Sequence, residues 1–164
     1  MRVSSVALAA ALSVICISTS LSGQRPDDRV DARSLQLLAE GRAARAAGNA
    51  DGATDLLETA VLVDPRNRAA FVELAMVAEA RGLPGKAIRL YREALLLEPN
   101  DVAALRGQGE AMVAKGAVTR ARDNLAKIRA LCKAGCGEAN QLAAAIAKGP
   151  PVTTAAVVPA APKE

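Results

Sequence analysis

The chain has 164 residues, a formal net charge of +4, one tyrosine, one phenylalanine and no histidine or tryptophan. This length accommodates one domain with short appendages, and the missing histidines exclude histidine acid–base catalysis and histidine metal ligands. The weak positive charge and the scarcity of aromatic side chains also argue against nucleic-acid binding. We therefore expect no enzyme, no cofactor, no metal and no small-molecule substrate.

Residues 1–22 have the pattern of a secretory leader. Arg2 provides the positive start, and residues 6–17 form an uncharged, mostly apolar run of 12 residues. Such a run is long enough for a signal peptide and short for a membrane span. The small residue Ser22 is suited to cleavage before Gly23, so we expect an exported protein, periplasmic or secreted. The alternative is a retained membrane anchor, which would be the only membrane contact that we expect.

Residues 23–33 are polar and lack periodicity, which predicts a short linker. Ser34 follows, and because serine is a favoured N-cap we expect the first helix to begin there. Removal of Arg2 with the leader would lower the formal net charge from +4 to +3.

The best-defined part of the chain is residues 68–101, whose apolar spacing predicts two amphipathic helices folded back on each other. Asn67 precedes the first helix and can cap its free N–H groups. Gly82 follows that helix, where glycine can adopt the left-handed conformation that ends it. Pro84 suits the first turn of the second helix, because its missing N–H would be unpaired there anyway, and Pro99 ends the unit.

The same pattern returns when the chain is shifted by 34 residues in either direction, which predicts three units, 34–67, 68–101 and 102–135. An ordinary helical bundle with accidental periodicity is the alternative. The matching columns are Gly48, Gly82 and Gly116; Ala53, Ala87 and Ala121; Leu57, Tyr91 and Leu125; Ala60, Ala94 and Ile128; Leu37, Phe71 and Leu105; and Gly41, Ala75 and Gly109.

This period and these columns resemble the tetratricopeptide repeat. The resemblance implies an all-α fold, a right-handed α-solenoid of antiparallel helix pairs, with a concave groove lined mainly by the first helix of each pair. The central unit is the closest to the family pattern. Leu37 and Leu105 stand where the usual first-helix aromatic would be, and Glu40 and Gln108 replace the leucine that Leu74 supplies.

The resemblance also implies a site, since the groove columns can be carried over position by position. Their mixture of apolar and charged side chains suits an extended peptide or a helix of a protein partner, and an ordinary solvated face is the alternative. We do not expect a site that binds a C-terminal carboxylate. Family members with such a site use lysines and asparagines, whereas these positions hold arginines and glutamates. The positions are Leu38, Arg42 and Arg45 in the first unit, Val72, Met76 and Glu79 in the second, and Arg106, Glu110 and Val113 in the third.

Two cysteines, Cys132 and Cys136, lie where the third unit ends. Export implies an oxidising compartment, so a disulfide is the favoured interpretation. Two free thiols or a redox-active pair are the alternatives, whereas zinc would need further cysteine or histidine ligands. The third cysteine, Cys16, belongs to the predicted leader and lacks the preceding small residue expected of a lipid-bearing cysteine.

After the cysteines, residues 138–148 predict a final helix that covers the open end of the third unit. Residues 149–164 are a low-complexity Pro/Ala/Val/Thr segment that we expect to be disordered. The whole sequence predicts a non-enzymatic adaptor of the cell envelope. A permanently packed structural subunit of an envelope complex and a thiol-redox accessory protein are the alternatives.

Overall fold

The computed structural model describes residues 29–132 and 136–151, and the predicted leader and the C-terminal tail beyond Pro151 lie outside these ranges. The described residues form helices and no strands, and none of these helices has the length and apolar character needed to traverse a bilayer. The helices are α1 (Ala32–Ala46), α2 (Ala50–Val63), α3 (Arg68–Ala80), α4 (Pro84–Leu97), α5 (Val102–Ala114), α6 (Val118–Leu131) and α7 (Gly137–Lys148).

Helices α1 to α6 form three antiparallel pairs, and each pair packs on the next, so the predicted all-α helical repeat is confirmed. The repeated columns supply the core. Ala53, Ala87 and Ala121 are each 0% exposed, and the larger side chains one turn further along their helices are buried as well. Small side chains at the crossings allow close helix approach, and the larger ones fill the space beside them.

The turns between the two helices of each unit contain the glycine and proline conformations that the sequence predicts. Gly48, Gly82 and Gly116 have φ angles of 77°, 69° and 82°, which confirms the left-handed helix end expected at these positions. Pro84 occupies the first turn of α4, where its missing N–H leaves no hydrogen bond unmade.

Helix α7 packs on α5 and α6, as a further first helix would. Its Leu142 is 0% exposed and lies against Gly109 of α5. A Cβ at Gly109 would lie 2.7 Å from both Cδ atoms of Leu142, so the glycine is what admits this leucine.

The prediction that Ser34 caps the first helix is wrong. Asp31 is the N-cap, and its Oδ1 accepts hydrogen bonds from the backbone N–H groups of Arg33 at 2.7 Å and Ser34 at 3.3 Å. The helix therefore begins at Ala32. Ser34 lies inside it, fully buried, and its Oγ donates to the carbonyl of Ala60 on α2 at 2.7 Å.

Candidate functional site

The predicted groove positions do not all face solvent. Leu38 and Val113 are each 4% exposed and belong to core clusters, so their side chains are not accessible to a partner. The other seven are half-buried or exposed and lie on three first helices. These are Arg42 and Arg45 on α1, Val72, Met76 and Glu79 on α3, and Arg106 and Glu110 on α5.

The two arginines of α1 share one carboxylate on α3. The Nε of Arg42 donates to Oε1 of Glu73 at 2.7 Å, and the Nε of Arg45 donates to Oε2 at 2.9 Å. The side chain of Glu73 is 9% exposed, whereas those of Arg42 and Arg45 are 51% and 35% exposed. One buried carboxylate therefore positions two partly exposed guanidinium groups, and the cluster carries a net charge of +1.

A cleft of about 400 Å³ opens beside this cluster. Its lining combines small, apolar and charged side chains from α1, α3, the loop after α4, and α5. Within it, the guanidinium of Arg68 pairs with the carboxylate of Asp101, the residue that caps α5. The lining residues are Arg42, Arg68, Ala69, Val72, Glu98, Asp101 and Ala103.

Two of the predicted groove positions, Glu79 and Glu110, carry carboxyl groups and line one cleft between α3 and α5. Glu79 accepts a hydrogen bond from the hydroxyl of Tyr91 at 2.7 Å, and Glu110 pairs with Arg106 at 2.7 Å. Burial raises the pKa of Glu79, the charge of Glu110 adds to the shift, and the hydrogen bond from Tyr91 opposes it. Burial likewise raises the pKa of Tyr91, with the neighbouring charge of Glu79 as the second cause. The predicted groove positions are thus basic on α1 and acidic between α3 and α5.

Three further clefts form a row along the C-terminal ends of the first helices, and we name them by the helices that flank them. The α1/α3 cleft has a volume of about 240 Å³, the α3/α5 cleft about 380 Å³ and the α5/α7 cleft about 290 Å³. A shift of 34 residues maps Arg45, Gly48, Ala50, Val77 and Ala80 of the first onto Glu79, Gly82, Pro84, Ala111 and Ala114 of the second. The same shift maps Ala111 and Ala114 onto Ala145 and Lys148 of the third. The repeat thus generates one cleft per unit.

Two overlapping segments of the chain, residues 38–95 and 73–134, match the family model described as tetratricopeptide repeat. Together they span more than half of the 164 residues. This chain belongs to the tetratricopeptide repeat family. No curated protein matches its sequence significantly.

Several solved tetratricopeptide structures are similar to this chain. The first such domain of Spaghetti (RPAP3), bound to the HSP90 peptide SRMEEVD, is 21% identical with a TM-score of 0.67, over 73% of this chain and 94% of that one. The Sgt2 domain from Aspergillus fumigatus is 23% identical with a TM-score of 0.66, over 72% and 80%. The second domain of human RPAP3, in complex with the HSP70 peptide SGPTIEEVD, is 18% identical with a TM-score of 0.64, over 69% and 94%. At these identities the likeness shows the fold alone.

The cysteines of this tetratricopeptide chain are brought together. The Cα atoms of Cys132 and Cys136 are 5.8 Å apart, within the range that a disulfide requires. Cys132 is the C-cap of α6, in the column occupied by Asp64 and Glu98 in the earlier units. Within residues 29–132 and 136–151, no group of three or more potential side-chain ligands is arranged to hold a metal ion.

A second surface lies on the second helices of the tetratricopeptide units. Leu62 and Leu96 are 81% and 70% exposed and stand 34 residues apart, at matching positions on α2 and α4. The adjacent column, Val63, Leu97 and Leu131, is also exposed in all three units. We call these five side chains the apolar ridge. Exposed apolar side chains therefore recur at these positions in successive units.

Glu73 was not among the site residues predicted from the sequence, because the prediction used the neighbouring column of repeat positions. Its own column contains Ala39, Glu73 and Gly107, so Glu73 is the single charged residue in a column of small residues. That signal was visible in the sequence. Its pairing with two arginines of the preceding unit was not, because it depends on how α1 packs on α3.

Proposed function

We propose that this protein is a non-enzymatic adaptor of the cell envelope that holds an extended peptide or protein segment across its concave groove. The observation that carries the proposal is the cleft of about 400 Å³ beside Arg42, which is lined by residues of three successive first helices. A segment that lies across these helices would contact the small side chains of Ala69 and Ala103, and charged side chains would lie on either side of it.

Two arguments support a peptide rather than a compact ligand. The groove is mixed in chemistry and extends over several units, whereas small-molecule pockets are mostly apolar enclosures with a few convergent polar groups. Two of the similar tetratricopeptide structures were solved with bound peptides. The charge order of this groove, basic at Arg42 and Arg45 and acidic at Glu79 and Glu110, favours a segment with an acidic end and a basic end.

The test is a peptide-library selection with a blocked variant and a matched control. Ala103 is exposed, lies in the cleft and belongs to α5, so Ala103→Tyr fills the cleft without entering the core. Ala126 is an exposed alanine of α6 that lines none of the clefts described above, so Ala126→Tyr carries a similar helix-propensity cost. We expect Ala103→Tyr to lose the selected peptides and Ala126→Tyr to keep them. Equal peptide affinity in both variants would contradict the proposal.

The envelope location and the disulfide belong to the same proposal. The leader suggests export, and the distance between Cys132 and Cys136 suits oxidation in such a compartment. Protein recovered from the producing cells should begin near Gly23, and its mass should rise by two hydrogens on reduction. An intact Met1 in a membrane fraction would contradict the cleaved leader, and an unchanged mass would contradict the disulfide.

The apolar ridge favours a second candidate function, that of a permanently packed subunit. Exposed leucines in matching positions of successive units can pack along one face of a larger partner. The variant Leu62→Glu with Leu96→Glu should then separate the protein from its assembly on size exclusion while leaving groove peptides bound. If the variant keeps its assembly, the subunit function is excluded.

A further inference from the structure

The second helices of the first two units carry opposite charges at equivalent exposed positions. Three positions spaced by three and four residues lie on one side of each helix, and the 34-residue period relates the two sets. The positions are Asp55, Glu58 and Leu62 on α2 and Arg89, Arg92 and Leu96 on α4, and all six side chains are exposed. We call the first set the acidic stripe and the second the basic stripe. Each stripe ends in a leucine of the apolar ridge.

The third unit does not continue this pattern. Its equivalent positions on α6 are Asp123, Ala126 and Ala130, so α6 presents one charge and no leucine there. The combination of an acidic stripe with a basic stripe is therefore confined to α2 and α4.

The charges of both stripes are accessible to a partner. Glu58 pairs with Lys86 of α4 at 3.4 Å, and Arg92 pairs with the next residue of its own helix at 3.5 Å; all four side chains are partly exposed. The carboxylate of Asp55 and the guanidinium of Arg89 have no hydrogen bond or ion pair with any residue in the described part of the chain. Because the contact between Glu58 and Lys86 joins α2 to α4, the two stripes lie side by side.

We propose that a second copy of this chain covers the apolar ridge, with a two-fold axis that runs between α2 and α4 and along these helices. Successive second helices run in the same direction, so this axis places α2 of each copy against α4 of the other. The acidic stripe of each copy then faces the basic stripe of the other. Leu62 meets Leu96 twice, once on each side of the axis, which removes these exposed leucines from water.

Charge favours a second copy over other occupants of this surface. The other face-to-face two-fold arrangement has its axis across the helices, and it would place each stripe against the same stripe of the second copy, with like charges opposed. An anionic membrane would attract the basic stripe and repel the acidic stripe beside it. A second copy in the proposed arrangement supplies the opposite charge to both stripes at once.

The proposed dimer is weak. Two helices from each copy form a small interface, and exposed charge pairs each contribute little. We expect a Kd of about 10–100 µM at low salt, so unfolding measurements at lower protein concentrations report the stability of the monomer. Because the charge pairs are exposed, raising the salt concentration from about 0.05 M to about 0.5 M should weaken association several-fold.

Sedimentation equilibrium with charge-reversed variants tests the pairing of the stripes. Asp55→Arg with Glu58→Arg makes both stripes basic, and Arg89→Glu with Arg92→Glu makes both acidic. Each variant alone should raise the Kd at least tenfold, because like charges then face each other. An equimolar mixture of the two variants should dimerise about as well as the wild type, since each stripe again faces its opposite.

The matched control is Arg120→Glu with Arg122→Glu on α6. Both arginines are exposed, lie outside the stripes and give the same change in net charge as the acidic variant. This control should keep the wild-type Kd. A wild-type chain that stays monomeric far above the expected Kd would overturn the inference, and so would a variant mixture that stays monomeric or a control that loses dimerisation.

Nitrogen-15 NMR of the wild-type chain tests the same surface without any substitution. Dilution across the expected Kd should shift the amide signals of Leu62 and Leu96 and leave those of Ala126 and Ala130 on α6 unchanged. Shifts confined to other helices would overturn the inference.

The inference rests on the packed-subunit function only in using the same ridge, and it does not depend on peptide binding in the groove. If the purified chain is monomeric but Leu62→Glu with Leu96→Glu still separates it from an assembly in cell extract, the inference fails and the packed-subunit function stands. If the purified chain dimerises as described and no selected peptide binds, the inference stands and the groove function fails.

Discussion

The Nδ2 of Asn67 donates a hydrogen bond of 2.8 Å to the Oγ of Ser34, 33 residues earlier in the chain, and both side chains are buried. The same asparagine caps α3, because its Oδ1 accepts from the N–H of Ala70 at 3.2 Å. In the next unit the corresponding positions are Arg68 and Asp101, which form an ion pair, and Asp101 caps α5. The residues that cap α3 and α5 thus also link their units to the preceding ones.

The first prediction concerns this link. Asn67→Ala removes a helix cap, worth about 1 kcal/mol, together with a buried hydrogen bond, worth about 1 kcal/mol. We expect the free energy of unfolding to fall by about 2 kcal/mol in urea titration. A double-mutant cycle with Ser34→Ala should give a coupling energy of about 0.5–1.5 kcal/mol. A coupling energy near zero would mean that the bond between the two side chains adds no stability.

The second prediction concerns the approach of α7 to α5. A Cβ at Gly109 would overlap Leu142, so Gly109→Ala should lower the free energy of unfolding by about 1–3 kcal/mol. Gly85 is the contrasting glycine, since it lies in α4 with nothing within 4 Å of the added Cβ and without a positive φ. Gly85→Ala should therefore be neutral or stabilise by up to about 1 kcal/mol. Equal effects in thermal unfolding would contradict the packing of Leu142 on Gly109.

Glycine columns such as Gly48 and Gly82 could be predicted from the sequence because each has a local physical cause that recurs with the period. The residue that begins α1 could not be predicted in that way. Asp31 and Ser34 are both favoured caps, and only the position of Ala60 on the neighbouring helix decides that Ser34 is buried. Long-range partners of this type are fixed by packing, which the order of residues does not reveal.

For the groove positions too, some features could be predicted from the sequence and others depended on packing. The repeat columns placed Arg42 and Arg45 on the first helix, where the structure also has them, and predicted that they line the groove. They also assigned Leu38 and Val113 there, and packing against the neighbouring helices buries both. The row of three clefts could have been predicted from the sequence, because every unit contributes the same repeat positions. Its contact with Pro151 required the path of the chain after α7.

The third prediction concerns acid stability. Asp64 is 3% exposed and accepts hydrogen bonds from the Arg66 side chain, the N–H of Asp31 and the N–H of Arg66, which lower its pKa from 3.8 to about 2. Because the folded-state pKa is lowered, this group stabilises the protein above its unfolded pKa, and the contribution is lost as the pH falls toward 2. Asp64→Asn should therefore lower the urea midpoint at pH 7, and the difference should shrink from about pH 4 downward.

The matched control for this series is Asp55→Asn. Asp55 is exposed on α2, and its carboxylate has no hydrogen bond or ion pair with any residue in the described part of the chain. Its substitution should leave the urea midpoint unchanged at pH 7. A difference between wild type and Asp64→Asn that stays constant from pH 7 to pH 2 would contradict the assigned role of the charge.

The last prediction concerns charge reversal in the groove. Arg42→Glu with Arg45→Glu removes both partners of the buried Glu73 carboxylate and places two further carboxylates beside it. Unpaired buried charges cost several kcal/mol, and since the arginines are partly exposed we expect a loss of about 2–3 kcal/mol.

The control, Arg89→Glu with Arg92→Glu on the exposed face of α4, should change stability by less than about 1 kcal/mol. Adding Glu73→Gln to the groove variant should restore part of the loss in thermal unfolding, because it removes the buried charge. If the groove variant melts at the wild-type temperature, Glu73 does not hold the two arginines in solution. If the groove variant unfolds at a lower temperature than the wild type, loss of partner binding in that variant reflects unfolding. Ala103→Tyr is then the variant that tests binding separately from stability.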